Sequence, residues 1–540
     1  MSDNTLTTPK PLPVRAVGTP TSTLELYKKY ISCLCAVCIT CIVLTISLLI
    51  HLLRDTSSES FSVLRSQVLD VKDGDLSSCY TQERYSRRTN KSKEPALILT
   101  KLIEEKNFLE AVRLSKVKGV LVDVPSYSGY LTIDKEYQSN MFFWFIPQES
   151  EPERGSLVLW LQGGPGWPSM FGMFKENGPF LLDVDKIGGD IRVNLVRNIH
   201  SWHKVANILY IDNPVGTGFS FTRDSAGYPT NDSAVADQLV TALTQFMKLL
   251  PYYIPGYHAR KNPFFAFGES YGGPFVLSLA QKILSTDGLL SYFNLQGIAL
   301  GNPLLSPRHQ FLYSQFLQTT GYLSQDQIVT LQNYEVTMLK LIEEGKSKAA
   351  LYEYSNMMQY FATELNNTFL ASHGVTNPCI YDVNYDGQYL TSHEYICYLQ
   401  TPRVMQSIHV GSNQCQTGAQ SYFYLEDEIL TDKVEILESV LDSNKIRVLL
   451  YTGNMDMMVH TMGMNTVVKN LKWSKRVQFD SSGSSKLVLP GQTRIAGYYG
   501  QGGGLTYLVV RDAGHMVPIS QPAVAARIVK QFIGSKEWGC

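Results

Sequence analysis

The pentapeptide Gly268-Glu269-Ser270-Tyr271-Gly272 sets a serine between two glycines, after the aromatic run FFAF and before the amphipathic stretch GGPFVLSLAQKIL. A strand that enters a helix through such a turn is the context a G-x-S-x-G nucleophile elbow requires. The turn is sharp, and a Cβ at Gly268 or Gly272 would meet neighbouring backbone. It exposes the serine hydroxyl above a sheet edge, at the positive end of a helix. A hydroxyl needs a base beside it, and the base needs an acid to orient it. Downstream, Asp456 follows the apolar run IRVLLYTG and His515 follows LTYLVVRD, each in a loop after a candidate strand. Nucleophile, acid and base therefore occur in the order Ser, Asp, His, which suits acyl transfer through a covalent intermediate. His460, soon after Asp456, is a rival base. It ranks below His515, because it would leave no strand-end acid after Ser270 other than its own neighbour. Each residue alone has a bland reading, a Gly-rich turn for the pentapeptide and a turn or cap residue for Asp456.

These loops need a sheet to hold them. The runs 157–163, 206–212, 264–270, 446–453 and 505–512 are short, apolar and bounded by Gly or Pro, as buried strands are. Helical patterns at 235–250 and 275–284 fall between them, and such alternation predicts a parallel α/β sheet. With the elbow, the fold class expected is an α/β-hydrolase fold. Residues 307–425 are rich in helix formers and read as an inserted helical cap, which divides the hydrolase domain into 121–306 and 426–540. Cys379 and Cys397 are close in sequence within that insertion and are the expected disulfide.

The N-terminal part differs. Residues 31–53, ISCLCAVCITCIVLTISLLIHLL, are apolar enough to cross a hydrocarbon core of about 30 Å and are read as a transmembrane signal anchor. Cys33, Cys35, Cys38 and Cys41 lie inside it with only apolar neighbours, so metal ligation is the weaker reading. Residues 1–30 read as a cytosolic tail and 54–120 as a stalk or pro-like region. Lys10, Arg15, Lys28 and Lys29 precede the segment and Arg54 and Arg65 follow it, a bias toward a cytosolic N-terminus. The expectation is a single-pass type II membrane protein with its body lumenal or extracellular, in the secretory or endolysosomal pathway. Sequons at Asn90, Asn231 and Asn366 fit that placement as glycosylation candidates.

Five blocks carry a family resemblance: WLQGGPGWPSMFGMFKENGPF (160–180), SWHKVANILYIDNPVGTGFSF (201–221), GESYGG (268–273), GNMD (453–456) and AGHMVP (513–518). In this order they resemble the serine carboxypeptidases, most of all the vitellogenic-like branch, over about 121–533. The resemblance implies a peptidase that takes peptide or protein C-termini and releases single C-terminal residues through an acyl-enzyme. It implies an oxyanion hole from the backbone N–H groups of Gly164 and Tyr271. It also implies that Gln162, Gly163, Glu176 and Glu269 receive the substrate's terminal carboxylate. Two acids bind an anion only if they are close enough to share a proton, since like charges that close cannot both ionise. Binding should then be tight at acidic pH and weaken as the pair loses its proton.

Some residues depart from the family pattern. Trp167 and Pro168 stand where a small pair is usual, and could narrow the pocket or shift Gly164. Gln162 replaces Asn, Asn454 stands where Asp or Gln is common, and Ser520 replaces an Asp. Two other readings stay open: a membrane-tethered scaffold with an occluded site, and an acyltransferase on the same fold. No metal or organic cofactor is implied, and the GQGGG run (500–504) has no helix after it to make a nucleotide site. The near-neutral balance, 47 Lys and Arg against 48 Asp and Glu, gives no reason to expect nucleic acid. A homodimer is compatible with everything above.

Overall fold

The computed structural model describes residues 95–187, 190–367, 380–383 and 394–534. Its strands, in chain order, are β1 (Tyr127–Asp134), β2 (Ser139–Ile146), β3 (Leu157–Leu161), β4 (Phe180–Ile187), β5 (Asp190–Arg197), β6 (Asn207–Ile211), β7 (Thr217–Gly218), β8 (Phe264–Glu269), β9 (Leu295–Gly301), β10 (Gln416–Thr417), β11 (Arg447–Gly453), β12 (Ser485–Val488), β13 (Ile495–Gly502) and β14 (Leu505–Val510).

Ten of them form one mixed sheet in the order β1-β2-β6-β3-β8-β9-β11-β14-β13-β12. The six central strands, β6 to β14 in that order, pair in parallel, while β1, β2, β12 and β13 are antiparallel margins. The centre is parallel because its strands are apolar on both faces and are joined through helices. In β8, Phe264 and Ala266 enter one core cluster while Phe265 and Phe267 enter the other, so the sheet separates two cores. The helices Asp232–Tyr253 and Gly272–Ser285 bury apolar stripes in the first core, and Pro522–Ile533 covers the second. Thr100–Glu104 and Phe108–Ser115 add Ile103 and Ala111 to the first core ahead of β1.

All five expected strands lie in the parallel centre. Expectation missed β9, which enters between the strands that carry Ser270 and Asp456. Between β9 and β11 the described chain is mainly helical, with Gln325–Glu343 and Ser347–Asn367 the longest elements.

One expectation is corrected. Residues 31–53, read as a transmembrane anchor, lie outside the described residues, and among the described residues no helix is long and apolar enough to cross a membrane. The single-pass type II assignment, which rested on the apolar run, the flanking Lys and Arg bias and the sequons, is withdrawn.

Cys397 is disulfide-bonded, and its expected partner Cys379 lies outside the described residues. Cys415 carries a free, buried thiol. Asn90 also lies outside them, as does the side chain of Asn366. Asn231 is exposed at the start of the helix Asp232–Tyr253, its Oδ1 accepting from Ala234 N–H at 2.9 Å.

Candidate active site

Ser270 occupies the turn between β8 and the helix Gly272–Ser285 with φ 58°, a left-handed conformation that costs a non-glycine residue about 1–2 kcal/mol. Backbone contacts hold it there. Ser270 N–H donates to Gly301 O at 2.9 Å, and Ser270 O accepts from Gly273 N–H at 3.0 Å and Leu304 N–H at 3.3 Å. The flanking glycines are sterically required: a Cβ on Gly268 would stand 2.1 Å from Gly272 O, and one on Gly272 would stand 2.4 Å from Leu161 O.

The loop after β3 lies directly against this turn. A Cβ on Gly163 would come within 2.6 Å of Tyr271 N and 2.7 Å of Ser270 Cβ. Gly164, at φ 110°, begins a tight bend closed by Trp167 N–H donating to Gly163 O at 3.0 Å. Trp167, expected as a threat to this loop, packs its indole edge-on against Phe171, ring centroids 5.1 Å apart. Pro168 caps the short helix Ser169–Phe171. Tyr271 is anchored by its side chain. Its hydroxyl donates to Asp232 Oδ1 at 3.3 Å, and Asp232 pairs with the buried Lys433 ammonium at 2.7 Å. Burial nevertheless raises the Asp232 carboxyl to about 6, with Lys433 pulling the other way.

Asp456 and His515 meet as expected. His515 Nδ1 and Asp456 Oδ2 are 2.8 Å apart and both side chains are buried. Asp456 Oδ1 accepts from the N–H groups of Met458 at 2.7 Å and Val459 at 3.1 Å. The two loops pack closely because Gly453 is bare; a Cβ there would lie 2.2 Å from the carbonyls of Ala513 and Gly514. His460, the rival base, is used structurally. Its Nδ1 accepts from Gly463 N–H at 3.0 Å, its ring stacks on Phe316, and burial lowers it to about 4.

Three features were absent from the sequence reading. Asn302, at φ 42° beyond β9, donates from Nδ2 to Asp456 Oδ2 at 2.6 Å. It directly follows Gly301, whose carbonyl holds Ser270, so one turn supports both the nucleophile and the acid. Residues 380–383 thread between the other two loops: Tyr381 O accepts from His515 N–H at 2.6 Å, and Ile380 O from Met457 N–H at 3.1 Å. Ser520, which departs from the family Asp, donates to Asp382 Oδ2 at 2.6 Å and accepts from Gly514 N–H at 3.1 Å. A carboxylate is thus supplied there from a distant segment.

Gln162, Glu176 and Glu269 converge beside the elbow. Trp160 Nε1–H donates to Gln162 Oε1 at 3.0 Å, which turns the amide nitrogen toward Glu269 Oε1 at 2.7 Å. Both glutamates are buried. Desolvation is the leading cause that raises each carboxyl, Glu176 to about 8 and Glu269 well above the ordinary range, where the nearby Glu176 adds to the effect. The two interact with each other, yet neither oxygen of Glu176 nor Oε2 of Glu269 has a hydrogen bond of full geometry to the protein. A buried, protonated carboxyl pair with unused oxygens can donate to an anionic guest.

The chain is similar to known proteins over most of its length. The family model for serine carboxypeptidases matches residues 116–535. The venom serine carboxypeptidase of Apis mellifera is 34% identical over 447 residues, covering 82% of this chain and 91% of its own length. The vitellogenic carboxypeptidase of Aedes aegypti is 32% identical over 452 residues, covering 83% and 91%. Among solved structures, the prohormone-processing carboxypeptidase Kex1ΔP of Saccharomyces cerevisiae superimposes with a TM-score of 0.67 at 22% identity, over 79% of this chain and 96% of that one, a likeness of fold. On the extent of these matches, the chain, an α/β-hydrolase fold with a large mixed sheet, belongs to the serine carboxypeptidase family.

Proposed function

We propose that Ser270, His515 and Asp456 carry out the carboxypeptidase reaction, with the terminal carboxylate of a peptide held by Gln162, Gly163, Glu176 and Glu269. Ser270 Oγ attacks the last peptide carbonyl while His515 Nε2 takes its proton. Asp456 keeps Nδ1 protonated and steadies the imidazolium that forms. The tetrahedral oxyanion is met by the N–H groups of Gly164 and Tyr271, a term worth about 3 kcal/mol per donor. His515 then returns the proton to the departing amine, and the C–N bond breaks. Water, deprotonated by the same imidazole, hydrolyses the ester and restores Ser270.

The observation that favours an exopeptidase over a general hydrolase is the buried Glu176–Glu269 pair beside the elbow. A protonated carboxyl there recognises a free carboxylate, which an internal peptide bond lacks. The test is a blocked dipeptide offered at pH 5 with either a free carboxylate or a C-terminal methylamide. The free acid should be preferred at least tenfold in kcat/KM. Equal turnover of the two would remove the exopeptidase assignment of the pair.

A further inference from the structure

Glu269 of β8, Gly301 of β9 and Tyr451 of β11 stand opposite one another in the parallel register. Side chains alternate along a strand, and Phe265, Phe267, Ala299, Leu449 and Tyr451 all belong to the same core, so Glu269 and Tyr451 project from one face. Only a glycine lies between them. The phenol fills the space that glycine leaves: a Cβ on Gly301 would be 2.4 Å from both Tyr451 Cζ and Oη. The hydroxyl therefore sits over β9, one strand spacing of about 4.8 Å from the backbone that carries Glu269. That is within a glutamate's reach.

Tyr451 is 3% exposed, and Oη has no hydrogen-bond partner. A buried tyrosine hydroxyl ordinarily has one. Glu269 Oε2 and both Glu176 oxygens also lack a well-aligned hydrogen bond, although the two carboxyls interact with each other and with Gln162, so the phenol lies near carboxyl oxygens that can still accept. Among the described residues, the titratable groups felt by the pair are Asp456 from beyond β11, Tyr210 from β6 and Tyr451 itself. Tyr210 already donates to Asn177 Oδ1 at 2.7 Å, and Asp456 is held by Asn302 and His515. Tyr451 alone has a donor to give.

We infer that Tyr451 is a positioning residue of the carboxylate site: its Oη–H donates to a carboxyl oxygen of the Glu176–Glu269 pair, which leaves the carboxyl proton for the substrate. The inference rests on the assignment of that pair to the terminal carboxylate. Gln162 Nε2 already serves Glu269 Oε1, and without a donor for the remaining oxygens a carboxyl proton is drawn between the two glutamates. A phenol that satisfies the carboxylate removes this competition. A donor to the charged form also lowers the pair's affinity for its proton, so its removal should raise it.

The experiment is Tyr451→Phe in the full chain, with kcat and KM for a blocked dipeptide from pH 4.5 to 8.5, beside wild type and Glu269→Gln. KM of Tyr451→Phe at pH 5 should rise about five- to tenfold, the loss of one hydrogen bond to a charged group. The pH at which KM climbs should move upward by about half a unit to one unit, with kcat within twofold of wild type. The Ki of an N-blocked amino acid, which does not depend on how much enzyme is folded, should follow KM. A Tyr451→Phe profile that overlays wild type, while Glu269→Gln flattens the climb, overturns the role of Tyr451 alone. A lower melting temperature with unmoved KM and Ki also overturns it, as a packing role would give that result. A wild-type KM that is flat across this range would instead overturn the pair assignment and this inference with it.

Discussion

Asn302 gives the sharpest way to perturb the candidate triad without touching it. Its Nδ2–H donates at 2.6 Å to Asp456 Oδ2, the oxygen that also faces His515 Nδ1 at 2.8 Å. Asn302 is fully buried at φ 42°, so alanine there would add backbone strain to the loss of the amide. Asn302→Gly is the cleaner change, because glycine accepts the left-handed conformation. A hydrogen bond to a charged group contributes about 1.5–3 kcal/mol. At 1.36 kcal/mol per factor of ten, that corresponds to about 10- to 150-fold if the whole loss falls on the step that charges His515. Some of it will fall on stability instead, so kcat should drop about 10- to 50-fold with KM near wild type. Phosphonylation of Ser270 needs the same base and should slow in parallel. The assay is steady-state turnover of a blocked dipeptide together with the labelling rate, on protein shown to be folded by its melting transition. A variant that melts earlier but keeps kcat and labelling within twofold of wild type would refute the view that Asn302 orients Asp456.

Other outcomes follow from the same geometry. Gly163→Ala should abolish activity, because its Cβ would enter within 2.7 Å of Ser270 Cβ and Tyr271 N; retained turnover in a folded variant would contradict the close approach of that loop. Glu176→Gln should flatten the rise of KM with pH, since the Glu176 carboxyl, raised to about 8, is the donor lost on titration; the check is KM at pH 5 and pH 8. Stability should also fall as pH rises from about 6.5 to 8. The folded pKa values of Glu176 and Asp212, about 8 and about 7, exceed their unfolded values, so the folded chain binds more protons and loses stability as they titrate. His203 and His460, lowered to about 4, act with the opposite sign, but only between about 4 and 6.5. A melting temperature at pH 8 equal to that at pH 6.5 would count against these burial effects. Trp167→Ala should lower kcat more than KM, because the indole packs beside Gly164; the two constants measured at pH 5 decide it.

The parallel centre of the sheet was legible in the sequence because its strands are continuous apolar runs that end at Gly, Asn or Asp. Ser270, Asp456 and His515 were legible for the same reason, each standing where such a run stops. β9 was not. Its sequence LQGIALG carries two glycines, and no ionisable residue follows it to draw attention. Asn302 was hidden with it, although Gly-Asn-Pro after an apolar run is a signal that could have been followed. Tyr451 sits inside an apolar run and reads as core. Only the register, with Gly301 bare between it and Glu269, shows where its hydroxyl lies. The pairing of Ser520 with Asp382 spans 138 residues and leaves no local trace. For the N-terminal apolar stretch, composition suggested an anchor that no described element bears out.

The central claim is that this chain removes C-terminal residues through Ser270. The most direct measurement is release of the free C-terminal amino acid from a blocked dipeptide at pH 5, by wild type and by Ser270→Ala. Wild type should release it and the variant should not, although both should bind an N-blocked amino acid with similar affinity. Release that persists in Ser270→Ala, or wild-type protein that neither turns over the peptide nor is labelled at Ser270 by a phosphonylating reagent, would contradict the claim.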